Sequence, residues 1–204
     1  MMIFFNERLA YLAVPKTGTS ALERALGSKA SAVFRDPPGL KHTNARGFER
    51  KFRKLFERNT LAPLETMAVM REPMAWLGSW YRYRQRPALS GHKNSTEHVS
   101  FDAFIEAYLS PEQPAFARIG SQGRFVTDEH GDLLVNHLFS YADLDTARRF
   151  LERRLSTTID LKPVNTSPRA RTELSTDLEQ ELRVKCALDF QIYAALAEGP
   201  LSVS

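Results

Sequence analysis

One segment, residues 12–22, determines how the rest of the chain is organised. It reads Leu12-Ala13-Val14-Pro15-Lys16-Thr17-Gly18-Thr19-Ser20-Ala21-Leu22, an apolar strand that runs into a short loop and then into a helix. Backbone N–H groups at the start of a helix have no partner within the helix, and the helix dipole adds partial positive charge there. The segment therefore predicts an anion-binding loop at a strand-to-helix junction, the alternative being a capped helix after a buried strand.

The residue types of this loop suit a phosphate group. Lys16 supplies a full positive charge, and Gly18 lets the backbone approach a ligand closely. Short hydroxyl donors follow at Thr17, Thr19 and Ser20. In the nucleotide-triphosphate loop, G-x-x-x-x-G-K-[ST], the lysine follows the second glycine, whereas Lys16 precedes Gly18. The order of residues therefore argues against that loop.

A second candidate anion site follows at the next predicted strand-to-helix junction. Residues 66–70 read as a buried strand, Arg71 ends it, and Ser79 comes eight residues later on the predicted helix. A guanidinium can clamp a phosphate with two parallel hydrogen bonds, and a serine adds one directional donor. The alternative is a salt bridge between Arg71 and Glu65 or Glu72.

Taken together, the two motifs resemble those of sulfotransferases that use 3'-phosphoadenosine 5'-phosphosulfate (PAPS). Pro15-Lys16-Thr17-Gly18-Thr19-Ser20 is similar to the 5'-phosphosulfate loop of that family. Arg71, Pro73, Ser79 and Tyr81 match its R-x-P-x-x-x-x-x-S-x-Y pattern, in which the arginine and the serine hold the 3'-phosphate. The resemblance implies PAPS as the cofactor, adenosine 3',5'-bisphosphate as the product, and no metal ion.

Two further segments extend the resemblance. Phe139-Ser140-Tyr141-Ala142-Asp143-Leu144 looks like the family's F-x-Y-E-D-L segment, with an alanine in place of the first acidic residue. Asn165-Thr166-Ser167-Pro168 is similar to an Asn-x-Ser segment of carbohydrate and bacterial members, which implies that Asn165, Ser167 and Arg169 bind the cofactor. The R-K-G-x-x-G segment of cytosolic phenol and steroid sulfotransferases is missing, so the likeness is nearer to the bacterial and carbohydrate branch.

Alternating strands and helices predict an α/β fold with a central parallel sheet flanked by helices. The resemblance implies the same P-loop-like sulfotransferase fold, in a single domain over residues 1–204. A chain of this length buries roughly 70% of its unfolded surface as one domain. The predicted strands cover 3–5, 9–14, 32–34, 66–70 and 138–141. The predicted helices cover 19–26, 45–58, 73–85, 101–109, 143–155 and 176 to about 197.

Sulfuryl transfer requires alignment of the attacking and leaving oxygens and neutralisation of the charge that develops. Lys16 is the candidate for the leaving side, where an ammonium can stabilise the oxygen between sulfur and the 5'-phosphate. The acceptor hydroxyl needs a general base. An imidazole, with an ordinary pKa near about 6.5, can accept a proton at neutral pH.

Among five histidines, His42 is the candidate base. With Phe48 it matches H-x-x-x-x-x-F, a pattern similar to that of related carbohydrate sulfotransferases. Alternatively, His42 caps the helix that follows it or binds an acidic neighbour. His92, Asp36 and Glu72 are the competing candidates for the base.

Further residues are candidates for the acceptor side of the site. His42 and His92 can reach an acceptor, and Gln122 and Arg124 lie in a glycine-rich connection that can face one. Residues 86–99 are polar and contain proline and glycine, and loops of this length are usually functional. We expect them to form a mobile substrate loop.

Composition restricts the possible partners. The net charge is +4, a basic bias that suits anionic ligands without requiring nucleic acid. Residues 41–58 hold seven basic and two acidic side chains, which form either a solvated helix face or a landing surface for an acidic acceptor. With Cys186 as the only cysteine, and no signal peptide or membrane span predicted, we expect a cytoplasmic location.

The sequence thus predicts a PAPS-dependent sulfotransferase that modifies a hydroxyl of a carbohydrate or a small polar molecule. A P-loop kinase that uses ATP is one alternative, disfavoured because the strand at 66–70 ends in Arg71 and not in a Mg²⁺-binding carboxylate. The other alternative is a non-catalytic module that binds anions or glycans through residues 41–58.

Overall fold

A computed structural model describes residues 1–58, 63–161 and 171–203. These residues form one six-stranded sheet with the order β3-β1-β2-β4-β5-β6. Its strands are β1 Met2–Phe4, β2 Leu9–Tyr11, β3 Ala32–Val33, β4 Glu65–Met70, β5 His137–Ser140 and β6 Leu201–Ser202. The chain is α/β, as predicted from the alternation of its elements.

Helices flank this sheet. The described residues form the α-helices α1 Thr19–Leu26, α2 Pro38–Lys41, α3 Ala45–Phe48, α4 Lys54–Glu57, α5 Pro73–Arg84, α6 Phe101–Leu109, α7 Gln122–Val126, α8 Leu144–Leu155, α9 Thr176–Lys185 and α10 Ala187–Ala197. A π-helical turn, Glu49–Arg53, joins α3 to α4, and short 3-10 turns lie at Pro87–Leu89 and Tyr141–Asp143. In the described part of the chain, no helix has the length and apolar character needed to cross a membrane.

The sheet is mixed, so the prediction of a parallel sheet is wrong at both edges. Only β2, β4 and β5 run parallel to one another, whereas β1 is antiparallel to both β2 and β3, and β6 is antiparallel to β5. The connection between β1 and β2 is a tight turn in which Arg8 N–H donates to the Phe5 carbonyl. A turn this short can only join antiparallel strands, because a parallel pair needs a crossover connection of a dozen residues or more.

The three parallel strands end at the same edge of the sheet. Leu9 pairs with Glu65, and Met67 pairs with His137, so the registers of β2, β4 and β5 are aligned. The Leu12 N–H donates to the Met67 carbonyl at 2.8 Å and extends this pairing beyond β2. In open α/β sheets, ligands bind outside the carboxyl ends of parallel strands. We therefore expect a ligand site in the segments that follow β2, β4 and β5.

The core lies on both faces of the sheet, because alternate residues of each strand point to opposite sides. On one face, residues such as Leu12 and Met70 pack against Phe48 and Phe52. The other face packs against α1 and α8 through residues such as Leu22 and Leu151. A third cluster joins α5, α6 and α9. Complete burial contributes roughly 1.5–3 kcal/mol for each large apolar side chain.

The predicted basic helix over 45–58 forms as α3, the π turn and α4. Its apolar stripe consists of phenylalanines: the Phe52 ring stacks on those of Phe48 and Phe56, with centroids 6.4 Å and 6.0 Å away, whereas Leu55 is exposed. Arg50, Lys51 and other basic side chains of this helix are exposed. The basic residues therefore form an outward face.

Two predicted elements differ in the structure. The long C-terminal helix is broken at Cys186, whose φ of −110° and ψ of 27° separate α9 from α10. Burial raises the pKa of the Cys186 thiol to about 11, so it is a thiol and not a reactive thiolate at neutral pH.

The end of the 86–99 loop is anchored, since the buried Thr96 hydroxyl donates to the Tyr81 carbonyl at 2.9 Å. Its role as a substrate loop stays a prediction.

Candidate anion-binding site

The loop after β2 is held from two sides. The Trp76 Nε1–H of α5 donates to the Pro15 carbonyl at 2.8 Å. The Thr17 hydroxyl, which is completely buried, donates to the Val14 carbonyl at 2.8 Å. The Thr17 side chain therefore shapes the loop, and it is the loop backbone that remains for a ligand.

The backbone of the loop turns its N–H groups outward. Lys16 and Gly18 both have left-handed backbones, with φ of 68° and 78°. Gly18 is the N-cap of α1, and no side chain caps this helix. Within the described residues, the N–H groups of Gly18, Thr19 and Ser20 have no hydrogen-bond partner. Such an arrangement offers several aligned donors to one anion.

Gly18 is also required by its neighbours. A Cβ at this position would lie 3.1 Å from the Tyr141 ring, which belongs to the segment after β5. The guanidinium carbon of Arg71 lies 4.8 Å from the centre of the same ring. Tyr141 therefore brings the loop after β2 and the arginine after β4 to one place.

Four cations converge at this edge of the sheet. The Lys16 ammonium lies 4.3 Å from the centre of the Tyr83 ring, and the Arg86 guanidinium carbon lies 4.7 Å from it. Burial, and to a smaller extent the charges of Arg86, Arg71 and Arg82, lower the pKa of Lys16 to about 8. Burial and the charge of Arg71 also lower the pKa of Arg82. Lys16 therefore lies within electrostatic range of the three arginines.

No acidic side chain balances this cluster of Lys16, Arg71, Arg82 and Arg86, which we call the cationic cluster. In the described part of the chain none of the four forms an ion pair, and residues 59–62 and 162–170 contain no Asp or Glu. Uncompensated cations that are partly desolvated attract anions strongly. The cluster is therefore suited to a ligand with several negative charges.

The alternative partners of Arg71 are engaged elsewhere. Glu65 accepts from His137 at 2.7 Å and pairs with Arg154 at 3.1 Å. Glu72 caps α5, where its carboxylate accepts from the Met74 and Ala75 N–H groups at 3.1 Å and 2.6 Å. The salt-bridge interpretation of Arg71 is thus wrong, and Glu72 is committed to a helix cap.

Gln122 fixes the backbone of Arg71. Its Oε1 accepts from the Arg71 N–H at 2.9 Å, and its Nε2 donates to the Arg71 carbonyl at 2.8 Å. The Gln122 N–H in turn donates to the buried Asp189 carboxylate, which also accepts from the Ser121 hydroxyl at 2.6 Å. Gln122 is completely buried, so it supports Arg71 and does not face an acceptor; Arg124, two residues along, is exposed.

Helix α5 adds the predicted serine. Ser79 is buried, with a relative exposure of 7%. Among the described residues, its hydroxyl has no hydrogen-bond partner. One turn further along α5, Arg82 Nη1 lies 3.4 Å from the hydroxyl of Thr172, which belongs to the segment before α9. The predicted cofactor residues Asn165, Ser167 and Arg169 lie outside the described residues.

His42 lies beside the start of the loop. Its Nδ1 is 2.7 Å from the Ala13 carbonyl, and because a carbonyl only accepts, Nδ1 carries the proton and Nε2 is left as the acceptor. Burial is the main cause that lowers the pKa of His42, against a smaller raising effect of the Ala13 carbonyl. The imidazole is therefore neutral near pH 7, with a lone pair on Nε2.

The competing bases are less suitable. His92 is exposed, and its Nδ1 accepts from the Asn94 N–H at 3.1 Å. Asp36 is exposed to solvent, and Glu72 caps α5. His42 is the candidate that is both half-buried and next to the loop.

A second concave region adjoins the loop through Ser20. It has a volume of about 390 Å³, and its walls are Ser20, Glu23, Arg24, Gly27, Ser28, Arg35 and Lys41. Glu23 pairs with Arg35 at 2.7 Å and with Lys41 at 3.3 Å, so two of the three cations here share an acidic partner. The cationic cluster, which lacks any such balance, is the stronger anion site.

Sequence reasoning missed Arg82, Tyr83 and Arg86. The signal was their spacing, because residues three, four and seven positions after Ser79 fall on the same side of a helix. The chain matches no protein-family model, no curated protein and no solved structure. The α/β class and the geometry of this site are therefore the basis for any functional argument.

Proposed function

We propose that the protein is a PAPS-dependent sulfotransferase, with a hydroxyl of a carbohydrate or a small polar molecule as acceptor. The observation that carries this proposal is the cationic cluster, in which Lys16 and Arg71 follow neighbouring parallel strands and, among the described residues, form no ion pair. PAPS has two separate anionic groups, and the cluster has cations from two separate junctions. The residues thus fit the ligand in charge and in number of binding points.

In this proposal, each anionic group has its own residues. The loop N–H groups from Gly18 to Ser20, with Lys16, bind the 5'-phosphosulfate. Arg71 and Ser79 bind the 3'-phosphate, and Gln122 keeps the Arg71 backbone in place. The two binding points together favour an adenosine that is phosphorylated at both ends over one with a single phosphate chain.

PAPS, when bound, supplies a sulfuryl group whose bond to the 5'-phosphate oxygen breaks as the acceptor oxygen attacks. Lys16 neutralises the negative charge that develops on the leaving phosphate oxygen. His42 Nε2 takes the proton of the acceptor hydroxyl, and the Nδ1 bond to the Ala13 carbonyl fixes the tautomer that can do so. No other covalent step is assigned to the protein.

Calorimetry with three ligands tests the proposal: adenosine 3',5'-bisphosphate, ATP with Mg²⁺, and a sulfated oligosaccharide. We expect the bisphosphate to bind most tightly, since it alone presents two phosphates to both junctions. Tighter binding of ATP would favour a kinase, and binding of the oligosaccharide alone would favour the glycan-binding module. Either result would overturn the proposal.

The His42→Ala variant tests the assignment of the base. We expect turnover of labelled PAPS with a hydroxylated acceptor to fall roughly 10²- to 10⁴-fold, the usual contribution of a general base. The affinity for adenosine 3',5'-bisphosphate should stay near the original value, because His42 touches the loop only through Ala13. His92→Ala is the matched control and should keep its activity; full activity of His42→Ala would place the base elsewhere.

A further inference from the structure

Two of the four cations belong to neither anion motif. Arg82 lies three residues after Ser79 on α5, and Arg86 lies four residues further, just past the end of the helix. This spacing returns to the same side of a helix, so both follow the side that carries Ser79. Both are half-buried, and partial burial of a guanidinium that has no acidic partner carries a desolvation cost. Their position requires another explanation.

Arg82 belongs to the Arg71 end of the cluster. Its Nη1 lies 3.1 Å from the point where a Cβ on Gly78 would be, so a glycine beside Ser79 makes room for this guanidinium. The Thr172 hydroxyl holds the same nitrogen at 3.4 Å from the other side. Arg82 also follows Ser79, the predicted partner of Arg71, by one turn of α5, and burial and then the charge of Arg71 lower its pKa.

Arg86 belongs to the Lys16 end. The two cations lie over one aromatic ring, that of Tyr83, at 4.7 Å and 4.3 Å from its centre. The ring stabilises both through its quadrupole and places both charged groups close together. Among the neighbouring charges, that of Arg86 has the largest effect on the pKa of Lys16.

We propose that Arg82 and Arg86 are two further cofactor-binding residues with separate targets, Arg82 joining Arg71 at the 3'-phosphate and Arg86 joining Lys16 at the 5'-phosphosulfate. The inference rests on the proposed function and goes beyond the two motifs. A phosphate monoester carries about −1.5 to −2 at neutral pH, so adenosine 3',5'-bisphosphate brings about three to four negative charges. The cationic cluster matches that charge, whereas Lys16 and Arg71 alone would leave about half of it unbalanced.

Two ligands separate the two targets. Adenosine 5'-monophosphate lacks the 3'-phosphate, and adenosine 3',5'-bisphosphate has it. For Arg82→Gln we expect the affinity for the bisphosphate to fall about 10- to 100-fold, the usual loss for one charge-assisted contact, with the affinity for the monophosphate nearly unchanged. For Arg86→Gln we expect both affinities to fall by similar factors.

Arg153→Gln, an exposed residue of α8, is the control for loss of one positive charge and should bind both ligands as the original protein does. Thermal unfolding without ligand confirms that each variant is folded. The inference is overturned if Arg82→Gln and Arg86→Gln both bind like the control, or if Arg82→Gln weakens both ligands equally. Failure of the original protein to bind the bisphosphate would instead refute the proposed function, so the two failures are distinguishable.

Discussion

Gly18 is subject to two separate structural constraints. Its φ of 78° is in the left-handed region, and the Tyr141 ring fills the space where a Cβ would be. The first constraint concerns the backbone alone, whereas the second concerns contact with another element. Since both constraints act on one position, they can be separated by comparison with a glycine that has only the first.

We predict that Gly18→Ala is destabilised more than Gly120→Ala. Gly120 has a φ of 77° with no atom within 4 Å of its Cβ position, so it is the matched control. A left-handed φ costs a residue with a Cβ about 1–2 kcal/mol in either place. Urea unfolding should show an additional loss for Gly18→Ala, and calorimetry should show weaker binding of the bisphosphate for this variant only. Equal losses would mean that Tyr141 does not restrict the loop.

Lys16 makes binding depend on pH. Its pKa is about 8 in the folded chain and 10.5 ordinarily, so between these values the unfolded chain holds a proton that the folded chain has lost. Through this window the contribution of Lys16 to folding stability rises with pH. A bound anion favours the protonated ammonium, and its binding must therefore weaken as the pH rises above 8.

We predict that the affinity for adenosine 3',5'-bisphosphate falls above pH 8, with a slope that approaches about tenfold per pH unit. Calorimetry from pH 7 to 10 measures this slope. Lys16→Arg should remove the decline, because a guanidinium keeps its charge throughout this range. The same decline in both proteins would assign it to another group.

At the scale of elements, helix α7 links the C-terminal helices to the second anion motif. Asp189 of α10 accepts from the Gln122 N–H at the start of α7, and Gln122 then binds both backbone groups of Arg71. The position of Arg71 thus depends on residues 51 or more positions further along the chain. Such a dependence makes α7 a support of the site although it contributes no cation to it.

We predict that Gln122→Leu loses about 1–3 kcal/mol of unfolding free energy, because it leaves two buried backbone groups of Arg71 without partners. Its affinity for the bisphosphate should also fall. Thr127→Val is the control, since this buried hydroxyl donates to the Gly123 carbonyl within α7 and has no contact with Arg71. It should lose stability but keep its affinity. Denaturant unfolding and calorimetry on both variants separate the two effects.

Elements with strong local signals could be predicted from the sequence. Helix α1, which is followed by its C-cap Gly27, has the predicted bounds. Helix α6 also has the predicted bounds, and the Ser100 side chain caps it by accepting from the Ala103 N–H. The edge strands β3 and β6 have two residues each and the neighbouring β1 has three, and the direction of such short strands depends on pairing with other segments. A parallel sheet was therefore the natural prediction from alternation, although the edges are antiparallel.

For the candidate site, local sequence patterns mark the residues that lie in one loop or at the end of one strand. The loop over 15–20 and Arg71 are marked by residue order around a strand end. Arg82 and Arg86 looked like ordinary charged residues, because only the fold reveals which arginines converge without a counter-charge. Gln122 differs in the other direction. A polar side chain near glycines is expected to be exposed, yet Gln122 is completely buried beside Arg71.

At the scale of the whole molecule, the cationic cluster is a source of instability without a ligand. Four like charges that are partly desolvated repel one another, and salt or a bound anion reduces that repulsion. Sites that are arranged for a ligand commonly cost stability in this way. The free protein should therefore respond to anions more strongly than a protein of balanced charge.

We predict that adenosine 3',5'-bisphosphate at a hundred times its Kd raises the unfolding free energy by about 2.7 kcal/mol. For a chain of this length the Tm should rise by roughly 5–11 °C. Without ligand, Arg86→Gln should have a Tm equal to or above that of the original protein. Differential scanning calorimetry measures both values, and a clear fall in the Tm of ligand-free Arg86→Gln would contradict the idea of an unbalanced cluster.

Tyr141 touches both anion motifs, since its ring borders Gly18 and lies beneath the Arg71 guanidinium. The ring thus separates the loop from Arg71, and in the proposed complex its thickness would set the distance between the two phosphates of one nucleotide. A slimmer or bulkier side chain there would shift preference among isomeric bisphosphates, such as the 2',5' and 3',5' forms, while every cation stayed in place. If the proposed function holds, the choice of nucleotide is thus open to change at a position that bears no charge.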